Sequence, residues 1–418
     1  MRISLFSLGT RGDIQPFIAL GLALKAAGHQ VVLATGSDHE HLVRDYDLDF
    51  HSLPCRFSDY LATPAGWASF APGRSFYFGL NSIWGAMRGE AEPLFWGCWE
   101  ALRGTDVAVC SPTAIPAILL LQRYQLPWFL AMLAPALATT AFPSPSLPIR
   151  AFGRPGHYLT HKLVTRRFWK VGRDVTALWN QLTPLVPHRP GPERGTQLAT
   201  FVAASPQVIP PPREWPSNVH TTGYWMSPRT AAWEPSSDLQ RFITEHEPPI
   251  CVTFGSMPDP HPEAFQAMVL GAVRRARQRA VVVTGAGALG AIPNGADVIE
   301  IGAAPHDWLF PRMRAVVHHG GAGTTAAGLM AGVPNVIVPL LADQPFWGYR
   351  VYDLGVGPRP ILRRHLTEDR LARAISAAVR DEAIRDRARA LKYGMRAEDG
   401  AARALELIER YLAGRTHQ

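Results

Sequence analysis

The chain has 418 residues, of which 47% are hydrophobic and 18% are charged. This composition supplies sizeable apolar cores, so wholesale disorder is excluded, and the length predicts two to three domains. The formal net charge of +8 is carried almost entirely by arginine. This indicates an anionic partner such as a phosphate ligand or an acidic membrane surface, with genomic composition bias as the alternative.

The first half of the chain opens with a strand–helix–strand pattern. An apolar run at residues 3–8 is typical of a buried parallel strand. Residues 14–27 follow with helical spacing and end at a glycine. The next strand is predicted at 31–34, and further strands at 107–110 and 128–132. This order of elements predicts an α/β fold with parallel strands.

Residues 206–216 contain several prolines, which are excluded from helix interiors and central strands and therefore predict an extended linker. The α/β pattern then restarts. Strands are predicted at 250–254, 280–284, 298–301, 315–318 and 335–339, and helices at 262–278, 324–331 and roughly 367–413.

The predicted organisation is an N-terminal domain, a Pro-rich linker, a C-terminal domain and a closing helix that packs back on the first domain. Their respective bounds are 1–205, 206–235, 236–395 and 396–418. The ligand site is expected in a cleft where the carboxyl ends of both sheets face each other.

The strongest local motif is the Gly-rich run from His318 to Thr325, which follows a strand and opens a helix. Glycines allow a ligand to approach the backbone, and the free N–H groups of a helix start favour anions. The motif lacks the lysine of a P-loop, so it predicts a different phosphate-binding turn. A plain strand-to-helix turn is the alternative.

Two further motifs follow strands. Asp13 stands where the first helix begins, as either an N-cap or a carboxylate that faces the cleft. Asp343 and Gln344 stand together after a later strand, and both side chains can bond sugar hydroxyls, although a surface turn is the alternative.

These motifs resemble the family-1 glycosyltransferases, especially their sterol glucosyltransferase branch, which is related to bacterial glycolipid and antibiotic glycosyltransferases. The resemblance covers nearly the whole chain and is weak only in the middle. It rests on residues 9–21, 305–311, 318–325, 331–334 and 343–348. It implies the GT-B architecture, in which two Rossmann-like domains face each other across a cleft.

The resemblance also implies roles for individual residues. Asp13 would be the general base, His318 would touch the donor diphosphate, and Asp343 with Gln344 would hold the donor sugar. The full implied donor-binding set is Gly12, Gly255, Ser256, His306, His318, Gly320, Gly321, Gly323, Thr324, Asp343 and Gln344. Asp106 is considered as an orienting partner for the base.

The predicted activity is therefore an inverting transfer of a hexose, with glucose expected, from a nucleoside diphosphate sugar to a hydroxyl of a lipophilic acceptor such as a sterol. UDP-glucose is the expected co-substrate, and no cofactor or metal is required. Where related plant enzymes stack a tryptophan on uracil, this chain has Ala303, which leaves UDP and dTDP open.

Other functions remain as alternatives. The acceptor could be a polyketide, glycolipid or other natural product that receives its sugar from a dTDP- or UDP-sugar. A nucleotide-dependent oxidoreductase is suggested by Asp38 after the second strand, but the G-x-G-x-x-G fingerprint is missing. A non-catalytic binding protein is the last alternative.

The middle of the chain suggests apolar and anionic partners. An aromatic cluster is consistent with a wide acceptor pocket, with core packing as the alternative. Residues 150–173 contain seven Arg and Lys residues, no acid and several aromatics, which predicts an interfacial patch for anionic lipid, with a solvated helix face as the alternative. The aromatic cluster comprises Trp67, Phe70, Phe76, Tyr77, Phe78, Trp84, Phe95, Trp96 and Trp99.

Other partner classes and compartments are less consistent with the sequence. No basic tract matches a nucleic-acid reader, so nucleic acid is not expected as a partner. The four cysteines form no C-x-x-C pair, which disfavours a disulfide framework or a zinc site. No apolar run is long enough to span a membrane. The predicted location is the cytoplasm, with peripheral attachment to a membrane.

Overall fold

The computed structural model describes residues 1–63, 84–150, 152–186, 197–228, 233–255, 259, 261–284, 289, 292 and 295–416. These residues fall into two compact units. The first contains the described residues up to Pro228 together with those from Glu398 on, and the second contains the described residues between them, up to Ala397.

The described strands are short, and most follow the apolar runs that predicted them. In chain order they are β1 (Arg2–Phe6), β2 (Gln30–Gly36), β3 (Asp49–Leu53), β4 (Val107–Cys110), β5 (Trp128–Met132), β6 (Gln197–Val202), β7 (Val219–Thr221), β8 (Ile250–Thr253), β9 (Ala280–Val283), β10 (Val298–Ile301), β11 (Val316–His318) and β12 (Asn335–Ile337).

The described helices alternate with the strands over much of the chain. They are α1 (Arg11–Ala26), α2 (Glu40–Arg44), α3 (Phe57–Ala62), α4 (Ala91–Ala101), α5 (Ile115–Tyr124), α6 (Gly153–Val171), α7 (Arg173–Leu182), α8 (Ser237–Thr244), α9 (Pro262–Arg275), α10 (His306–Leu309), α11 (Ala322–Ala331), α12 (Gln344–Asp353), α13 (Glu368–Arg380), α14 (Glu382–Met395) and α15 (Gly400–Thr416). None of these described helices combines the length and apolar character that crossing a bilayer requires.

The sheet of the first unit has seven parallel strands in the order β3-β2-β1-β4-β5-β6-β7. Its central strand β1 pairs with β2 on one side and β4 on the other, so that Ile3 lies beside both Val31 and Val107. Side chains along β1 alternate between the two faces of the sheet, so Ile3 and Phe6 pack in different apolar clusters. Burial on both faces is why the strand is almost wholly apolar.

Helix α15 belongs to the first unit although it follows the second unit in sequence. It packs along α1, and its Ala404 and Ile408 are fully buried in the same cluster as Ile18 of α1. The long helical stretch predicted at 367–413 is thus three helices, because Asp381 caps α14 and Gly400 begins α15.

The Pro-rich stretch 206–216 also belongs to the first unit. Val208 and Ile209 are buried there, and Trp215 packs edge-on against Phe142 at 6.1 Å between ring centroids. Residues 206–216 of the predicted linker are therefore packed within the first unit, because these apolar side chains find partners between the prolines, whereas Trp233 near its end belongs to the second unit.

The sheet of the second unit has five parallel strands in the order β10-β9-β8-β11-β12. Central strands β8 and β11 are buried, and His318 pairs with Thr253 on one side and Ile337 on the other. The two sheets confirm the predicted α/β class with parallel strands. In each unit, a loop leaves the carboxyl end of a central strand and enters a helix, and both of these loops carry predicted site residues.

Candidate active site

The loop after β1 carries the predicted base, Asp13. It turns at Gly9, whose φ of +151° is a conformation that favours glycine. A Cβ on Gly9 would come within 2.3 Å of Asp13 Oδ2, so the carboxylate packs directly against the backbone of the turn. Ser7 Oγ donates to the backbone carbonyl of Asp13 at 3.0 Å. The turn therefore holds the carboxylate in a fixed position at the end of the strand.

Asp13 is the third residue of α1, and the N-cap is Thr10, which corrects the expectation that Asp13 caps the helix. Asp13 Oδ2 accepts hydrogen bonds from the Thr10 N–H at 2.7 Å and from Thr10 Oγ1 at 3.0 Å. The first of these is the reciprocal bond of a capping box, in which a first-turn side chain satisfies the N-cap N–H. Asp13 thus stabilises the helix start and presents a carboxylate at the end of β1.

Burial raises the pKa of Asp13, while hydrogen bonds from Thr10 and the nearby His39 lower it only in part. The helix dipole by itself predicts a low pKa for an acid in the first turn. In this structure the pKa moves in the opposite direction, because burial disfavours the carboxylate more than the hydrogen bonds from Thr10 and the nearby His39 favour it. A raised pKa makes Asp13 a stronger base once it is ionised.

Two other residues predicted near this loop have different positions. Gly12 is exposed at the second position of α1. Asp106 Oδ2 accepts from the Arg2 N–H at 2.8 Å, which places it at the amino end of β1. Asp13 follows the carboxyl end of the same strand, so Asp106 does not orient it.

His39 is a residue of this loop region that the sequence reasoning missed. It ends a short 3₁₀ turn after β2, the strand beside β1, and its Nε2 lies 3.0 Å from the Gly9 carbonyl oxygen. The signal was available, because the carboxyl ends of neighbouring parallel strands meet at one edge of a sheet.

The loop after β11 has a different character. Gly320 has a φ of +90°, and a Cβ there would lie 2.6 Å from Ile337 Cγ2, so glycine is required. Gly321 is the N-cap of α11, without a side-chain cap and without an acid in the first turn. The first bond inside this helix runs from the Thr325 N–H to the Gly321 carbonyl. The N–H groups before Thr325, which include those of Gly323 and Thr324, are therefore available to an anion.

His318 is fully buried behind this helix start, and both of its ring nitrogens have partners. The Gly320 N–H donates to Nδ1 at 3.1 Å, so Nε2 carries the proton and donates to Asn335 Oδ1 at 2.9 Å. Burial, followed by the neighbouring His319, lowers the pKa of His318 to about 3. In this arrangement His318 has no nitrogen left for a phosphate, and its contacts stabilise the turn.

His319, the adjacent residue, lies against the glycine turn instead. A Cβ on Gly321 would be 2.5 Å from His319 Nε2, and a Cβ on Gly255 would be 3.5 Å from its Cε1. Its Nδ1 is buried and has no hydrogen-bond partner among the described residues. The structure therefore points away from His318 and toward His319 as the imidazole that a ligand at this helix start would meet.

Burial and the nearby His306 lower the pKa of His319 to about 4, so its ring is neutral at pH 7 without a ligand. His306 begins α10 and stacks on Phe310, with ring centroids 4.3 Å apart. Gly255 follows β8 by two residues and lies beside His319, and Ser256 lies outside the described residues. The backbones of Gly255 and of the N-cap Gly321 thus both lie close to the His319 ring.

Asp343 and Gln344 are both held by their own loop. Asp343 Oδ2 accepts from Trp347 Nε1 at 2.7 Å. Gln344 is buried, and its Oε1 accepts from the N–H groups of Leu340 and Leu341 at 2.8 and 2.9 Å. The Gln344 carbonyl oxygen would be 3.1 Å from a Cβ on Gly320, so this loop packs against the turn after β11.

The remaining predictions concern the aromatic cluster and metal ligands. The described aromatics pack in or against the core of the first unit, with Trp84 and Phe95 fully buried, and the other five lie outside the described residues. In the part of the chain that the structure describes, no group of three His, Cys, Asp or Glu side chains is arranged to hold a metal ion.

Comparison with known proteins bears on both units. Residues 3–117 match the glycosyltransferase family 28 N-terminal domain. Residues 268–408 match the C-terminal domain of erythromycin biosynthesis protein CIII-like proteins. Together these matches contain both loops described above.

Two curated relatives align with nearly the whole chain. O-mycaminosyltylonolide 6-deoxyallosyltransferase of Streptomyces fradiae is 33% identical over 423 residues, covering 100% of this chain and 99% of that protein. A sterol 3-beta-glucosyltransferase of Aspergillus clavatus is 32% identical over 429 residues, covering 99% of this chain. The chain spans 30% of the length of that fungal relative.

A solved structure shares the fold. The glycosyltransferase SsfS6 of Streptomyces sp. SF2575, in complex with thymidine diphosphate, superposes with a TM-score of 0.66 at 19% identity. The match covers 98% of this chain and 99% of that one. It confirms the GT-B architecture that the family resemblance implied.

Proposed function

This chain belongs to the glycosyltransferase family whose members combine a family 28 N-terminal domain with an erythromycin CIII-like C-terminal domain, and we propose a specific reaction for it. It moves a hexose, with glucose expected, from a nucleoside diphosphate sugar to a hydroxyl of a lipophilic acceptor. The transfer inverts the anomeric centre. The oxidoreductase alternative is set aside, because the relatives transfer sugars.

The observation that carries this proposal is the helix start of α11. Gly321, Gly323 and Thr324 present backbone N–H groups without a competing acid, and the neutral ring of His319 lies beside them. The leaving diphosphate gains negative charge as the glycosidic bond breaks, and a helix start stabilises such charge. A diphosphate beside His319 would raise its pKa, so donor binding is expected to favour proton uptake by this ring.

Asp13 supplies the base in this proposal. The acceptor hydroxyl transfers its proton to the Asp13 carboxylate while its oxygen bonds to the anomeric carbon. The diphosphate leaves from the opposite face with the electron pair of the broken bond. The position of Asp13 at the end of a central strand supports this role, because Thr10 and Gly9 hold the carboxylate in one orientation.

Asp343 is the proposed ligand of the donor sugar hydroxyls, with its orientation set by the Trp347 indole. Gln344 has a different proposed contribution, because its side-chain oxygen already holds two backbone N–H groups of the same loop. We assign it to shaping the loop that carries Asp343 against Gly320.

The acceptor class is the open choice within this reaction. One relative is named for a sterol and the other for O-mycaminosyltylonolide, at 32% and 33% identity respectively. A sterol with UDP-glucose is the primary proposal, and a polyketide or glycolipid acceptor with a dTDP- or UDP-sugar is the alternative. Both classes are apolar molecules that bear a hydroxyl.

A matrix of donors and acceptors tests this proposal. UDP-glucose, dTDP-glucose and dTDP-6-deoxyhexoses are each incubated with ergosterol, cholesterol and macrolide aglycones, and products are measured by mass spectrometry. A hexosylated sterol formed from UDP-glucose supports the primary proposal. Acceptor-independent release of nucleoside diphosphate, with no glycoside from any pair, would contradict it, and binding without turnover would indicate a non-catalytic protein.

We further propose that α6 attaches the protein peripherally to an anionic membrane. The interfacial patch, residues 150–173, has no acid and exposes apolar side chains between basic ones. Phe152 is 88% exposed and Trp169 is 49% exposed. An open surface depression of about 420 Å³ is lined by Trp169 together with Arg166, Lys170 and Arg173, and these three cationic side chains attract anionic lipid headgroups.

Vesicle sedimentation tests the patch. The triple variant Arg166→Gln, Arg167→Gln, Lys170→Gln is compared with a matched variant of exposed arginines in the second unit, Arg274→Gln, Arg373→Gln, Arg380→Gln. The wild type should bind phosphatidylserine vesicles and be released by salt. Only the first variant should lose binding. Equal binding to neutral vesicles, or equal losses in both variants, would argue against the patch.

The proposed compartment is the cytoplasm. All four cysteines, Cys55, Cys98, Cys110 and Cys251, are buried as free thiols. Burial raises the pKa of Cys55 to about 12, and the other three thiol pKa values are also raised by burial. Unpaired thiols are the normal state of cysteines in a reducing compartment, which supports this location.

A further inference from the structure

One peptide group in the first unit is hydrogen-bonded on both sides. The peptide between Gly9 and Thr10 accepts a hydrogen bond from His39 Nε2 at its carbonyl, at 3.0 Å. The N–H of the same peptide donates to Asp13 Oδ2, at 2.7 Å. Because a carbonyl can only accept, Nε2 of His39 must carry a proton in this contact.

We propose that His39 is a positioning residue for the base, acting on Asp13 through the Gly9–Thr10 peptide. This inference rests on the proposed function, in which Asp13 accepts the proton of the acceptor hydroxyl. A hydrogen bond to the carbonyl of an amide polarises it and strengthens the bond that its N–H donates. His39 thereby tightens the contact between Thr10 and Asp13 without touching the carboxylate.

The geometry leaves one carboxylate oxygen for chemistry. Both hydrogen bonds to the Asp13 carboxylate, from the Thr10 N–H and Oγ1, end on Oδ2, and no donor from the described residues reaches Oδ1. Oδ1 is thus the oxygen that takes the proton: the acceptor O–H bond breaks, the Oδ1–H bond forms and the oxygen bonds to the anomeric carbon. A tighter bond at Oδ2 holds Oδ1 in a constant direction.

His39 is itself well fixed. It ends the 3₁₀ turn Ser37–His39 directly after β2, which pairs in parallel with β1. Its side chain is 11% exposed, and Asp38 Oδ1 lies 3.8 Å from the same Nε2. The imidazole is therefore a rigid support that the neighbouring strand delivers to the turn.

The other neighbour of β1 offers a matched control. Thr113, in the loop after β4, donates from Oγ1 to the Leu8 carbonyl at 2.7 Å. This bond anchors the same turn from the opposite side, but the peptide that it contacts is the one before Gly9. Loss of the Thr113 bond therefore tests anchoring alone, whereas loss of the His39 bond tests anchoring together with polarisation of the Thr10 N–H.

The experiment compares His39→Leu, His39→Gln and Thr113→Val at saturating donor. His39→Leu should lower kcat by about ten- to a hundredfold, the scale of a misplaced catalytic group, with both KM values nearly unchanged. His39→Gln can donate an amide N–H to the Gly9 carbonyl, so it should recover most of the rate. Thr113→Val should change kcat by less than about threefold, because the Gly9–Thr10 peptide keeps its hydrogen bonds to His39 and Asp13.

A double variant separates this inference from the proposed function. In an Asp13→Asn background, His39→Leu should cause almost no further loss, because the base that it positions is gone. Independent, multiplying losses would overturn the inference, as would equal effects of His39→Leu and Thr113→Val. If Asp13→Asn alone leaves the rate unchanged, the proposed base itself fails.

Should His39→Leu fail to fold, His39→Asn replaces it. The asparagine side chain is polar but too short for its amide to reach the Gly9 carbonyl. The His39→Asn variant should therefore have a lower kcat than His39→Gln, although the two variants have equal melting temperatures. Equal rates for Gln and Asn would overturn the inference.

Discussion

The two strand-to-helix loops have the same plan and opposite electrostatics. Each leaves the carboxyl end of an interior strand and turns at a glycine with positive φ, Gly9 or Gly320. Each then enters a helix whose N-cap lies three residues before Asp13 or Thr324. Both of these are the third residue of their helix. One helix start is occupied by an internal carboxylate, and the other has no acid and no side-chain cap.

The same backbone pattern can therefore serve the two chemical tasks proposed for these loops. In the first loop the acid at the third position bonds the N-cap N–H and so uses the helix start itself. In the second loop a threonine at the same position leaves the N–H groups for an external anion. A single residue type at one helical position thus separates the proposed proton acceptor from the proposed diphosphate site.

The largest expected effect comes from neutralising the carboxylate of the first loop. Asp13→Asn should lower transfer by about 10²–10⁴-fold, the range for a lost general base, while nucleoside diphosphate affinity stays constant. Steady-state transfer and calorimetric titration with UDP and dTDP measure these two quantities. Asp106→Asn is the control and should be fully active. An active Asp13→Asn would reduce the first loop to a helix cap.

A smaller loss is expected in the second loop. His319→Ala should weaken nucleoside diphosphate binding by about 1.5–3 kcal/mol, the scale of a hydrogen bond to a charged group. His318→Ala should instead lower stability, because it breaks the bonds to Gly320 and Asn335, and the folded fraction should bind normally. Calorimetry measures the diphosphate affinity of both variants, and thermal unfolding measures their stability. If His318→Ala loses affinity and His319→Ala loses only stability, His318 is the residue that contacts the diphosphate.

Placing an acid in the second loop tests whether the missing carboxylate is what leaves that helix start open to an anion. Thr324→Asp places a carboxylate at the helical position that Asp13 occupies in the first loop. It should weaken diphosphate binding by roughly 1 kcal/mol through like-charge repulsion in a partly exposed site. Thr324→Asn is the uncharged control. Equal affinities of the Asp and Asn variants at low salt would show that the diphosphate does not lie at this helix start.

The smallest expected effect concerns stability and its dependence on pH. Burial raises the pKa of Asp13 in the folded state above its unfolded value. Its contribution to stability is therefore fully present below the unfolded pKa and is lost as the pH rises through the folded pKa. Asp13→Asn should thus be at least as stable as the wild type at pH 7, with a smaller advantage near pH 4. A variant that is less stable at pH 7 only would contradict the raised pKa.

Much of the fold could be predicted from local patterns. Val107–Cys110, Trp128–Met132 and Val298–Ile301 are strands with the predicted bounds, because buried parallel strands are continuous apolar runs. Strand β3 (Asp49–Leu53) was missed, because its alternating polar residues reflect a sheet edge. The packing of Val208 and Ile209 was also missed, because prolines mask the apolar residues between them.

The sequence predicted which loops carry the candidate site, but it did not predict which side-chain atoms in those loops are available to a ligand. The Gly-rich motif predicted the helix start, but the choice between His318 and His319 depends on Asn335, a residue on the next strand. Likewise the pKa of Asp13 follows from burial, which a single sequence does not display. Interactions within a few residues can be read from a sequence, whereas those that cross between strands need the fold.

Helix α15 has a consequence for anyone who recombines this protein with a relative. A chimera that combines the donor specificity of one enzyme with the acceptor specificity of another would at first sight need one junction, near Pro228. However, the core that supports α1 and the Asp13 loop includes Ala404 and Ile408 from beyond the second unit. A single-junction chimera would join α1 of one parent to α15 of the other. Two junctions, near Pro228 and near Glu398, keep these helices together and are the design to build first.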